Sequence, residues 1–264
     1  MNPWKNKNQN KIQAQKHKEE CEKLYSEEIK KCIEESKVHT FGAGRAIPDF
    51  EIRKPVNTEI ILDDTDSVSA IYNCNVDEIV AVLNFASYKN PGGMFLKGSM
   101  AQEEALCHES ILYNVLSAPR FQEEFYGPNH DRLNRGMYGD DLIYSRDVLF
   151  IDEKAGNTYA DVITCAAPNA GVASEICHVK PDIIKCYLKA RIQHVLYIAL
   201  KNDVDVVILG AYGCGVFKND PYDVAIIFKD ELDTTFKGAF EKVIFAIPDS
   251  KSNNYKAFQD ILFG

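Results

Sequence analysis

The chain has 264 residues, 45% of them hydrophobic, and a formal net charge of −9. That length permits one large domain or two small ones, and no Pro/Gly/Ser linker or internal repeat divides the apolar part. The acidity excludes general nucleic-acid binding, which needs a basic footprint, but not a phosphate-bearing ligand, because amides at glycine turns and helix N-termini hold phosphate without side-chain charge.

From about Asn10 to Val38 the chain is highly charged and free of Gly and Pro. Leu24, Ile29 and Ile33, with Tyr25 and Cys32 adjoining, recur at near-helical spacing, which predicts one or two helices with a narrow apolar stripe laid on the domain surface. Thr58 to Leu62 reads as a strand, and Asp66 as the cap of a helical turn through Tyr72. Ile79 to Phe85 is continuously apolar until Asn84, the mark of a strand buried on both faces. After a turn-rich loop from Ser87 to Ala101, Gln102 to Leu116 reads as one helix. Pro119 to Asp141 is expected to be irregular, with Gly127-Pro128 and Gly136 as breakers.

Strands are predicted again at Asp147–Asp152 and Ala160–Cys165. Pro181 opens a long helix whose apolar face runs from Ile184 to Ala199. A buried strand, Val204 to Leu209, leads into Gly210-Ala211-Tyr212-Gly213-Cys214-Gly215. The helix Pro221–Leu232, the strand Val243–Ile247 and the helix Asn253–Leu262 follow. Strands alternating with helices indicate an α/β fold with helices on both sheet faces. Ligands of such folds gather beyond the C-terminal strand ends, where both glycine-rich loops leave the sheet.

The first loop contains Asn84, Asn90, Gly92 and Gly93 and leads to Gln102-Glu103-Glu104. Glycines admit close backbone approach. The paired glutamates open a helix, a place that the dipole alone would favour on any surface. Neighbouring helical residues point about 100° apart, so one carboxylate can hold a sugar while the other reaches a scissile bond. In the second loop Gly213 and Gly215 can form a nest of amides, with Cys214, Val216 and Phe217 beside it and a helix N-terminus behind. Phe217 is placed to stack on a ribose or base, or simply to pack. Cys214 is a possible nucleophile, although its position asks only for a small side chain.

Neither loop contains a P-loop or a dinucleotide fingerprint. The eight cysteines form no CxxC pair. His108 and His178, each after a cysteine, have no metal-site spacing, so reduced thiols, no metal and no cofactor are expected. No apolar run resembles a signal peptide or a membrane span, and the expectation is an intracellular, cytoplasmic protein (nuclear in a eukaryote) without membrane contact.

The run Asn84-Phe85-Ala86-Ser87, Asn90-Pro91-Gly92-Gly93, Gln102-Glu103-Glu104 resembles the signature of the bacterial-type poly(ADP-ribose) glycohydrolases, a Gly-Gly-Gly run followed by Gln-Glu-Glu. Gly210 to Phe217 with Asn219-Asp220-Pro221 resembles that family's diphosphate loop, and Thr164 to Asn169 its strand-to-loop segment. The resemblance implies a macrodomain-like three-layer α/β/α fold with a central mixed sheet over 41–264, preceded by an N-terminal helical extension over 1–40. It also implies metal-independent cleavage of the ribose–ribose O-glycosidic bond of poly(ADP-ribose). Glu104 matches the catalytic glutamate and Glu103 the one that holds the ribose hydroxyls. Such cleavage needs a carboxylic acid to protonate the departing oxygen, and a carboxyl beside a second carboxylate should have a raised pKa.

Met94 stands where the signature has its third glycine, and a side chain there can crowd the distal ribose. Two further readings stay open: a reader that binds ADP-ribose without cleaving it, and a hydrolase of an ADP-ribose linkage to protein or nucleic acid. The expected partner is poly(ADP-ribose) or an ADP-ribosylated protein, and a monomer is expected.

Overall fold

Alternation along the strands sorts their side chains between two helical layers. The strands are β1 (Lys37–His39), β2 (Glu59–Asp63), β3 (Val80–Phe85), β4 (Leu142–Phe150), β5 (Thr158–Cys165), β6 (Val206–Leu209) and β7 (Lys242–Ala246). They form one seven-stranded sheet in the order β1-β4-β5-β3-β6-β7-β2. The block β5-β3-β6-β7-β2 is parallel, whereas β4 runs antiparallel to β5 and β1 antiparallel to β4. The sheet is therefore mixed, as expected. The computed structural model describes residues 7–42, 44–52 and 54–264. The first six residues of the expected extension, with Ala43 and Arg53, lie outside the described residues.

The helices are α1 (Lys7–Leu24), α2 (Ser26–Glu35), α3 (Ser67–Tyr72), α4 (Gln102–His108), α5 (Leu112–Leu116), α6 (Pro119–Phe121), α7 (Gly127–Asp131), α8 (Pro181–Lys201), α9 (Pro221–Asp233) and α10 (Asn253–Phe263). Val80 and Val82 of β3 face a core shared with α1 to α6. Ala81 and Leu83, one residue out of phase, face a second core built on α8, α9 and α10. A strand whose two faces are both covered must be apolar throughout, which is why β3 carries no alternation in its sequence. Among the described residues no helix is long and apolar enough to cross a membrane.

Several boundaries differ from the sequence expectation. The helix expected over Gln102–Leu116 is two helices, because residues 109–111 pair with the end of β4. Ile111 N donates to Leu149 O at 3.1 Å and Ile151 N to Glu109 O at 2.8 Å. Ser110 bridges Phe150, and its Oγ donates to Leu106 O at 2.7 Å. The strand expected from Asp147 starts at Leu142 instead. The register shifts between Ser145 and Val148, and this bulge hides the periodicity. The Pro119–Asp141 segment is not irregular over its first half. It runs helically from α6 through a π-turn to α7 and buries Phe121, Phe125 and Tyr126.

At the N-terminus two helices form as predicted, and Tyr25, Ile29, Cys32 and Ile33 of the expected stripe pack on the core, whereas Leu24 does not. Leu24 is 64% exposed, and the buried face of α1 consists of Asn10, Ala14 and Cys21. Val38, expected in a helix, belongs to the edge strand β1.

Candidate active site

The parallel strands end beneath two loops that line one cavity of about 420 Å³. From the first loop come Ser87, Gly93, Met94, Ser99 and Ala101. From the second come Gly213, Gly215, Val216 and Phe217, and Glu103 and Glu104 stand between them. An adjoining lobe of about 320 Å³ shares Phe85, Ala101, Gln102 and Ala211 with it and adds Val68, Leu106 and Ile247 as walls.

Local chemistry fixes the two glutamates. Ala101 is the N-cap residue of α4, and Glu104, three residues on, accepts its amide at 2.9 Å, the returning half of a capping box. The other oxygen of Glu104 accepts the amide of Met94 at 2.7 Å. Glu103 accepts the amide of Ser87 at 2.7 Å and lies 3.4 Å from the amide nitrogen of Asn84. Both carboxylates are buried rather than on the surface. Burial pushes the Glu103 carboxyl well above the usual carboxylate range; the Ser87 amide opposes this and the charge of Glu104 adds to it. Glu103 thus has the raised proton affinity expected of a carboxyl beside a second carboxylate.

Gly93 sits between the two acids at φ +60°. A Cβ there would lie 2.5 Å from Glu104 Oε1 and 2.8 Å from Glu103 Oε2. Gly92, at φ +61°, is packed against Tyr113 and Cys107 behind the loop. Met94 has an ordinary φ of −111°, so its backbone does not need the glycine that the signature carries there. Its side chain is 40% exposed on the cavity lip.

In the second loop Gly213 (φ +72°) is required by the fold, since a Cβ would meet Asn219 at 2.5 Å and Ala167 at 2.6 Å. Gly215 is different: a Cβ there meets nothing within 4 Å. The amides of Gly213, Gly215, Val216 and Phe217 donate to no acceptor among the described residues. Four amides without a protein acceptor thus belong to the loop that lines the cavity opposite the glutamates. Phe217 meets the Tyr138 ring edge at 5.8 Å, and Tyr138 stacks on Tyr88 at 4.4 Å, so one aromatic cluster ties three loops together.

Of the other predicted site residues, Asn84, Asn90, Gly92 and Cys214 lie outside this cavity lining. Asn90 is exposed at a turn, bonded to Ser87 Oγ at 3.2 Å through its amide. Asn84 is buried under Glu103 and reaches Thr164 Oγ1 at 3.2 Å. Gln102 lines the cavity, but its side chain bridges α4 to β3 and α3. It accepts from Phe85 N at 2.8 Å and donates to Leu83 O at 2.8 Å and Ser67 Oγ at 3.1 Å. Cys214 turns away, and burial pushes its thiol up to about 12, with Asp220 adding to the effect. A thiol held so high supplies little thiolate, which argues against it as a nucleophile.

Sequence reading missed the supporting shell. Fully buried Arg191 of α8 donates to Asp140 at 2.8 Å, to Met137 O at 3.1 Å and to Ala166 O. It thereby holds the end of β5 next to Ala167, which lines the cavity. An arginine inside an otherwise apolar helical face was the available signal.

Residues 6–153 match the family model described as microbial-type PARG, catalytic domain. The chain is 30% identical to poly(ADP-ribose) glycohydrolase (PARG) from Deinococcus radiodurans, solved in complex with ADP-ribose, with a TM-score of 0.77 over 89% of this chain and 96% of that one. It is 28% identical to the Thermomonospora curvata enzyme, with a TM-score of 0.82 over 95% and 98% of the two chains. The same enzyme bound to the inhibitor ADP-HPD gives 27% identity and a TM-score of 0.80 over 95% and 98%. Compared with curated protein sequences, the chain gives no significant match. On the family match and this structural likeness, the chain belongs to the microbial-type poly(ADP-ribose) glycohydrolases.

Proposed function

We propose that this protein hydrolyses the ribose–ribose O-glycosidic bond of poly(ADP-ribose) and releases ADP-ribose. The observation that carries the reading is the convergence of Glu103 and Glu104 on the space beside Gly93, facing the amides of Gly213 to Phe217 across one cavity. Those amides suit a diphosphate, because fixed backbone dipoles hold an anion without the side-chain charge that this acidic chain lacks. The apolar second lobe suits a flat base.

Opening a glycosidic bond builds oxocarbenium character on the ribose, and the departing oxygen must gain a proton. Glu104 gives that proton and then, as carboxylate, takes one from the attacking water. The amides of Met94 and Ala101 fix its orientation through both steps. Glu103, buried and braced by Ser87 and Asn84, holds the ribose hydroxyls. Gly92, Asn84, Asn90, Gln102 and Cys214 shape the loops from behind. Residues 1–40 serve as an N-terminal, mainly helical extension to a catalytic domain over 41–264, and join its sheet through β1. The substrate is the free polymer or an ADP-ribosylated protein. Met94 on the lip favours one second reading, cleavage of an ADP-ribose linkage to a different leaving group.

The test compares wild type with Glu104→Gln on purified poly(ADP-ribose) and identifies the product. Wild type is expected to release free ADP-ribose, and the variant to lose roughly 10²–10⁴-fold in kcat while still binding ADP-ribose. Equal turnover by the variant removes Glu104 from its role. Binding without release by wild type points to the second reading.

A further inference from the structure

The charge of this chain is unevenly distributed. Net charge is −9, yet residues 1–18 contain five lysines and no Asp or Glu. Lys5 lies outside the described residues, but Lys7 and Lys11 sit on the first turns of α1, and these turns pack against the loop that carries Met94. An ideal Cβ on Gly98 would lie 2.3 Å from Lys7 O and 3.2 Å from Lys11 Cγ, and Asn10 Nδ2 donates to Gly98 O at 3.2 Å. Lys97, next to Gly98, donates its amide to Met94 O at 2.9 Å, and Ser99 N reaches the same oxygen at 3.2 Å. Met94 and Ser99 line the cavity. The exposed residues Lys7, Lys11 and Lys97 therefore stand on two segments that pack together around Gly98, four residues beyond Met94. None of the three pairs with a carboxylate among the described residues, whereas other lysines of the chain, such as Lys16, Lys18 and Lys31, are paired.

We propose that Lys7, Lys11 and Lys97 form a second anion subsite, which holds the diphosphate of the polymer unit beyond the bond being cut. This rests on the glycohydrolase reading above. The amides of the Gly213–Phe217 loop account for one diphosphate inside the cavity. The chain that continues outward over the Met94 lip carries another for each further unit. The net negative charge of the chain repels such a polyanion, and a cationic lip offsets that repulsion along the path of approach. Exposed, unpaired lysines are suited to this because they contribute long-range attraction with little desolvation cost. A single ADP-ribose molecule, filling the cavity, leaves the subsite untouched.

The experiment uses the full chain with Lys7→Gln, Lys11→Gln and Lys97→Gln combined, beside wild type. Initial rates on poly(ADP-ribose) are taken over a range of salt, direct polymer binding is titrated alongside, and ADP-ribose binding is titrated as the control. The expected result is a polymer KM raised severalfold at low salt with kcat unchanged and ADP-ribose affinity unchanged. The salt slope of log affinity should shrink by about 1.4, the single-strand value for the two phosphates of one lost diphosphate contact. Unchanged polymer affinity and slope in the variant overturn the subsite. If wild type binds polymer but does not cut it, the glycohydrolase reading fails on its own, and the titration still reads the lysines. A single-stranded oligodeoxynucleotide bound as tightly as the polymer, with the same lysine-dependent slope, overturns the assignment to poly(ADP-ribose).

Discussion

Gly93 has no freedom to change. Its φ of +60° disfavours any side chain, and the place a methyl would take is bounded by both glutamate carboxylates. Gly93→Ala is therefore expected to push Glu103 and Glu104 apart. Turnover on poly(ADP-ribose) should fall by at least about 10²-fold, since displacements near 1 Å have that effect. Initial rates check this, and an undiminished rate would mean that the carboxylates do not act from this geometry. Met94 is the opposite case. Its backbone is ordinary and its amide serves Glu104 whatever the side chain. Met94→Gly should keep that hydrogen bond, cost about 0.4–1 kcal/mol through the unfolded chain, and raise polymer turnover by clearing the lip. If the rate stays the same, the side chain lies aside from the substrate's path.

The long helix α8 does more than cover the sheet. Through Arg191 it reaches Asp140, Met137 O and Ala166 O, and so ties the turn before β4 to the end of β5. Removing one partner of a fully buried pair leaves the other charge without compensation, at a cost of about 3–5 kcal/mol. Asp140→Asn should accordingly lower Tm by roughly 10 °C, measurable by thermal unfolding. A loss below about 1 kcal/mol would show that the carbonyl contacts alone satisfy the guanidinium. The helix α4 is likewise fixed from outside. Gln102 clamps its first turn to β3 and α3, so the pair of acids is aimed by a side chain that touches no catalytic atom of the protein.

At the scale of the molecule, the buried acid Glu103 links the site to stability. Its proton is held more tightly in the folded chain than in the unfolded one, because burial and then the neighbouring Glu104 disfavour its charge. Stability from this group is fully present below the ordinary glutamate value and is lost as pH rises through the raised folded value. Glu103→Gln, which cannot ionise, should therefore flatten that part of the stability–pH curve and unfold at higher denaturant than wild type at neutral pH. Parallel curves for the two proteins would show that the native state does not hold this proton. Sequence pattern already contained most of the strands and long helices, the covered sheet, the two glycine loops and the Gln-Glu-Glu turn, because these follow from side-chain periodicity and backbone freedom within a few residues. Contacts between segments far apart in the chain fixed the rest. The pairing of Ser110 with Phe150 breaks the helix, Ala167 confines Gly213, and the depth of the cleft gives the raised proton affinity to Glu103. Burial and charge proximity arise only when distant strands close on one another, and a local pattern has no means of encoding that two acids at a helix start end up buried.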